Sequence, residues 1–152
     1  MRTLLGAIVL LVWASSLTAQ AQYPAPTLHW GPAPAVFPKG AQMAVVRGDP
    51  SKAETFTVEL SFPNGYKLPP HFHPTDETVE VKKGTFLFGM GDTFDPAKAK
   101  SMKPGDKGTI GAQMHHFAAA KGTTVVAVTA MGPFAMTYVN PADDPTRQAP
   151  QP

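Results

Sequence analysis

A chain of 152 residues with 43% hydrophobic and 16% charged side chains has apolar material for one core and too little for two. Its thirteen Lys and Arg stand against eleven Asp and Glu, scattered without a basic stripe that would track phosphates, so nucleic acid is excluded as the expected partner. The lack of cysteine excludes disulfides and thiolate ligands, so any metal must be held by nitrogen and oxygen.

The first 21 residues follow a secretory plan. Arg2 supplies the positive charge, residues 4–13 form an apolar run, and Ala19-Gln20-Ala21 offers a small-x-small cleavage site. The run is about ten residues long, where a membrane span needs about 20. Residues 1–21 are therefore read as a signal peptide. The product is expected to be exported to the periplasm or the medium, starting at Gln22 and free of the membrane. Residues 22–39 carry Pro24, Pro26, Pro32, Pro34 and Pro38, too closely spaced for a helix, and read as an extended arm laid over the body.

Residues 40–140 hold short runs with period-two alternation or β-branched enrichment, which predict strands at 42–47, 55–62, 66–73, 78–82, 85–90, 101–103, 107–111, 114–119, 123–130 and 134–139. Turn chemistry marks the breaks at Pro63-Asn64-Gly65, Lys82-Lys83-Gly84, Pro104-Gly105-Asp106 and Lys121-Gly122. No stretch sustains a helical period; residues 96–100 allow about one turn. So many short strands in one domain predict an all-β jelly roll or small barrel. Residues 141–152 read as a loose tail.

Four of the five histidines fall in two places, His71 with His73 and His115 with His116. Residues two apart on a strand share a face, so His71 and His73 aim inward together while Phe72 points away. Glu77 follows after Pro74-Thr75-Asp76 turns the chain, and Glu77, Val79 and Val81 share the inward parity. A fourth donor must come from a distant strand. His115 and His116 lie on opposite faces there, and only one of them can serve. Glu80 has the opposite parity to Glu77 and is expected at the surface. Phe86, Phe88 and Met90 alternate and are candidates to line the interior, with Phe86, Phe88, Tyr66 and Gln113 as candidate substrate contacts.

The spacing Gly65, five residues, His71, one residue, His73, three residues, Glu77, six residues, Gly84 resembles the first cupin motif at every fixed position. In the second motif, counting from Gly105 puts Gly111 at the usual proline, Gln113 at the usual glycine and His116 at the histidine, so the histidine survives where the middle has diverged. The resemblance covers about residues 56–128. It implies a cupin double-stranded β-helix in which His71, His73, Glu77 and His116 bind the metal. The flanks, His29-Trp30-Gly31-Pro32 and Gly132-Pro133 through Tyr138-Val139-Asn140-Pro141, look like those of small bacterial cupin-domain proteins. Cupins often pair through edge strands or an exchanged arm, so a homodimer is the assembly this resemblance implies.

Three neutral imidazoles and one carboxylate suit one divalent transition metal ion, Fe, Mn, Co, Ni, Cu or Zn, while Ca and Mg prefer all-oxygen shells. Two readings stay open. One is an enzyme acting on a small molecule, with Fe, Mn, Ni or Cu supporting dioxygenase-like oxidation and Zn supporting Lewis-acid chemistry. The other is a binding or sensing module that grips a metal or small ligand without turnover. Catalysis gains from a further acid or base at the open position, which would require Glu59 or Glu80 to face inward. A metal-free epimerase-like role is disfavoured by the full ligand set.

Overall fold

The computed structural model describes residues 27–147; the signal peptide expected at 1–21, the start of the arm and residues 148–152 lie outside them. Nine strands follow in order: β1 (Gly31–Pro32), β2 (Gln42–Arg47), β3 (Thr55–Phe62), β4 (Lys67–Phe72), β5 (Glu77–Met90), β6 (Lys100–Met102), β7 (Lys107–Ile110), β8 (His116–Met131) and β9 (Thr137–Tyr138). Alternation decides which face is covered. In β3, Phe56, Val58, Leu60 and Phe62 are buried, while Thr57, Glu59 and Ser61 face outward. The same alternation in β5 buries Glu77, Val79 and Val81.

The architecture is a curled antiparallel sheet built on two long strands, β5 and β8, which pair from Glu77–Ala130 to Met90–His116. Near the Glu77 end, β3 adds to β8 and β7 adds to β5, and β2 and β1 follow outside β3. Near the Met90 end, β4 adds to β8 and β6 to β5, with β9 beyond β4. Both halves feed one apolar cluster, in which Phe56, Val81 and Val126 are almost wholly excluded from water. Each such side chain contributes roughly 1.5–3 kcal/mol by burial.

Three sequence expectations are corrected. The breaks placed at Lys82-Lys83-Gly84 and Lys121-Gly122 are not strand ends, because β5 and β8 run straight through them. The ladder shifts register between Val81 and Lys83 and again between Lys83 and Thr85, so the glycine signal marks a bulge that bends a continuous strand. Second, the strand read over 134–139 shortens to β9. Third, the proximal tail forms two one-turn 3-10 segments, Pro141–Asp143 and Pro145–Arg147, the first capped by Asn140 accepting the Ala142 N–H.

The bend has a stringent local requirement at Gly84. Its φ of 78° lies in the left-handed region, and a Cβ there would overlap the Thr123 carbonyl oxygen and crowd Thr124. Gly84→Ala is expected to destabilise the fold by about 2 kcal/mol or more, read as a lower urea midpoint at unchanged slope.

Candidate metal centre

His71 is the penultimate residue of β4 and His73 follows its end directly, while β5 begins with Glu77 and β8 with His116. Register brings them together: His71 is the cross-strand partner of His116. Two further bonds tie the intervening loops. The Gln113 N–H donates to the His73 carbonyl at 2.8 Å, and the Ala112 N–H donates to Asp76 Oδ1 at 2.8 Å. All four side chains are buried, His71 at 2%, His116 at 3%, and His73 and Glu77 at 8% exposure.

One candidate ligand atom from each of His71, His73 and His116 lies within 4.8 Å of the others. Backbone carbonyls set the ring orientations. His71 Nδ1 faces the Pro69 carbonyl at 2.8 Å, His73 Nδ1 that of Ala135 at 2.8 Å, and His116 Nδ1 that of Met114 at 2.9 Å. A carbonyl only accepts, so each Nδ1 carries a hydrogen, and in a neutral ring that leaves the Nε2 lone pair turned inward. Glu77 Oε2 stands 3.4 Å from His116 Nε2 and 3.6 Å from His73 Nε2. Acceptors thus face acceptors in a dry pocket, and His73 Nε2 has no hydrogen-bond partner at all. A cation between them removes that penalty, and the Glu77 separations of 3.4 and 3.6 Å suit bonds of about 2.0–2.2 Å to one ion. The three buried histidines can hold a metal, and Glu77 is placed to complete the set.

The remaining sequence candidates divide. Phe86 and Phe88 both line the cavity, Phe88 with its ring centroid 5.6 Å from that of His116. Met90 is 48% exposed and lies outside it. Tyr66 does not face the cavity; its hydroxyl donates to the Pro38 carbonyl at 2.7 Å and its ring stacks on Phe62. Gln113 is exposed and absent from the lining, so its side chain contacts no ligand there. Its backbone is what matters, with a φ of 63° that a glycine adopts freely. The diverged second motif therefore keeps the glycine-type turn with a glutamine in it. His115 points outward, stacked on Phe72 and 2.6 Å from Asp92 Oδ1. Sequence reading missed Phe37, Met136 and Phe134. Phe37 and Met136 line the cavity, and the Phe134 ring lies 5.8 Å from that of His73. Phe37 sits in the Pro-rich arm, which carries no periodic signal, while Phe134 and Met136 sit in the run read as a strand over 134–139, of which only Thr137–Tyr138 pairs.

Burial, reinforced by neighbouring His116 and His73, holds the His71 imidazole well below its ordinary 6.5. The folded chain thus refuses a proton that the unfolded chain accepts below that pH. Stability of the chelator-treated protein is expected to be full above about pH 6.5 and to fall as pH drops below it, by up to about 1.4 kcal/mol per pH unit from this group. Urea midpoints at pH 7.5 and 5.5 measure the slope, and His71→Gln should flatten it. Gln113→Gly is expected to leave metal uptake unchanged and to raise stability by up to about 1 kcal/mol, whereas Gln113→Val should lower both.

No protein-family model matches the chain, and no curated protein sequence matches it. Solved structures do. The polyketide cyclase RemF from Streptomyces resistomycificus superposes at a TM-score of 0.63 and 18% identity, over 84% of this chain and 90% of that one. A candidate acetylacetone dioxygenase from Methylibium petroleiphilum gives 0.60 at 18% identity, over 88% and 90%. An RmlC-like cupin from Shewanella frigidimarina gives 0.52 at 17% identity, over 60% and 76%. Likeness at these identities speaks for architecture, and the architecture of this chain is the cupin fold.

Proposed function

We propose that this protein is a metal-dependent oxidoreductase of dioxygenase type acting on a small chelating molecule, with the ion held by His71, His73, His116 and Glu77. The observation that carries the reading is the inward convergence of three carbonyl-oriented Nε2 lone pairs, one of them without any partner. A redox-active divalent ion bound there supplies electron exchange with dioxygen and an electrophilic position for a substrate oxygen. The chain's own residues orient the donors, offset the cation's charge through Glu77, and exclude water with Phe62, Phe86, Phe88, Val126 and Val128.

The character of the lining favours redox chemistry over acid–base chemistry. Among the described residues, the only titratable groups on the cavity wall are the four donors. Glu59 and Glu80 line an outer groove instead, and Glu80 is paired with Lys82 at 2.7 Å. Hydrolysis or isomerisation needs a separate proton carrier within reach of the substrate, whereas oxidation of a chelated phenol or diketone relies chiefly on the ion. The likeness to the candidate acetylacetone dioxygenase supports the same direction. The bare wall also favours the second reading, a non-catalytic binding or sensing module.

Oxygen uptake by the Fe-loaded or Cu-loaded protein with catechols, flavonols and diketones separates the two. Consumption with one substrate class supports the oxidoreductase; no uptake with any metal, despite stoichiometric loading, leaves binding or sensing. In either case His116→Ala is expected to weaken metal binding by on the order of 100-fold, and Glu77→Gln by less, as measured by competition with a coloured chelator.

A further inference from the structure

Two spaces of unequal size share one wall residue, Phe37. The inner one, the metal cavity, offers about 30 Å³ for water centres, which is room for one or two waters. The outer one is an apolar hollow of about 280 Å³ lined by Pro34, Met43, Pro50, Phe56 and Val58, with Ser51 at its rim. Phe37 borders both. It stacks on Phe134 with centroids 5.8 Å apart and planes 8° from parallel, and Phe134 in turn lies 5.8 Å from the His73 ring. The rings therefore stand between the hollow and a metal donor.

The inner cavity alone is too small for a ligand with an aromatic body, since sites for such ligands span about 300–1,000 Å³. Joined to the hollow it approaches that range. The arm carrying Phe37 is held in a way that allows the joining. The Tyr138 hydroxyl donates to the Val36 carbonyl at 2.8 Å and the Tyr66 hydroxyl to the Pro38 carbonyl at 2.7 Å, one bond on each side of the ring. Two hydroxyl bonds of this kind are modest restraints. The flanking ladder of β1 on β2 is only two residues long. The Phe37 N–H also donates to the Pro34 carbonyl at 2.9 Å and its ring is buried, so displacing it costs the burial of one ring, which a ligand ring lodged in the same hollow replaces.

We propose that Phe37 and Phe134 form a removable partition. The ligand is a small molecule whose flat apolar body, about the size of one aromatic ring, lodges in the outer hollow. Its paired oxygen atoms reach past the displaced Phe37 to the ion. This rests on the metal-dependent reading above and adds to it the ligand's shape and route. The hollow presents almost no polar surface beyond Ser51, so it discriminates against charged or hydroxyl-rich bodies such as free sugars.

The test uses the full-length Co(II)-loaded protein with two bidentate chelators of identical head group, acetohydroxamate and benzohydroxamate, followed in the visible spectrum. Benzohydroxamate is expected to bind at least about tenfold more tightly, a modest share of what burying one ring supplies. Ser51→Trp, which fills the hollow from its exposed rim, should weaken benzohydroxamate by about tenfold or more and leave acetohydroxamate within about twofold. Phe37→Ala should speed benzohydroxamate association several-fold at unchanged cobalt stoichiometry. Equal affinity for the two chelators, or equal loss of both in Ser51→Trp, overturns the proposal, as does an unchanged association rate in Phe37→Ala. A protein that takes up no cobalt shows no metal spectrum before any chelator is added, and that result instead sinks the metal reading beneath it.

Discussion

Four electron-rich atoms aimed at one another inside an apolar shell define this molecule. With each Nδ1 committed to a backbone carbonyl, the Nε2 atoms of His71, His73 and His116 have nothing to offer but lone pairs, and Glu77 adds a carboxylate 3.4–3.6 Å from two of them. Packing alone gives no reason to collect acceptors in a dry place, since burying unpaired polar atoms is costly. The arrangement makes sense as a cage for a cation, and much of the surrounding structure serves to hold it.

That holding is done by two long bent strands and a few loop bonds. β5 and β8 each pass through a bulge, so a single strand contributes to both halves of the curled sheet and delivers a donor at its start, Glu77 in one and His116 in the other. The bend at Gly84 and the positive φ of Gln113 are local departures from easy backbone geometry. Both lie in segments that fix how β5 and β8 approach the cage. The Gln113–His73 and Ala112–Asp76 bonds then lock the turn before His116 to the loop between His73 and Glu77. The two ligand-bearing segments, far apart in the chain, are thereby made one rigid unit.

The closed state of the cavity gives the arm a meaning that a covering segment alone would lack. Phe37 is not peripheral packing: it closes the wall of the cage and is pinned through its neighbours by Tyr66 and Tyr138. Of these, Tyr138 is also the cross-strand partner of His71, so the arm and an imidazole of the cage share one support. The wall of the cage and one of its imidazoles are in this way mechanically coupled, although no side chain of the arm is among the four inward-facing groups.

Much of this was legible before any coordinates. Period-two alternation exposed the strands and put His71, His73, Glu77, Val79 and Val81 on one parity, because side-chain direction in a strand follows from residue number alone. Motif spacing singled out His116 over His115, and the structure has the first buried beside His71 and the second outside against Phe72. Three things needed tertiary structure. Lys82-Lys83-Gly84 and Lys121-Gly122 carry the same local signal for a turn as for a bulge, and only the partner strand decides between them. Tyr66 and Gln113 have chemistry suited to a ligand, yet the first is consumed by the Pro38 carbonyl and the second acts through its backbone. Phe37 and Phe134 meet through a contact between a Pro-rich arm without periodicity and the start of a run read as a strand, and no local pattern says that two such distant segments touch. The sequence by itself determined which residues face inward, since that is a property of single strands; which of them touch, and what closes over them, depends on long-range packing that only the folded chain decides.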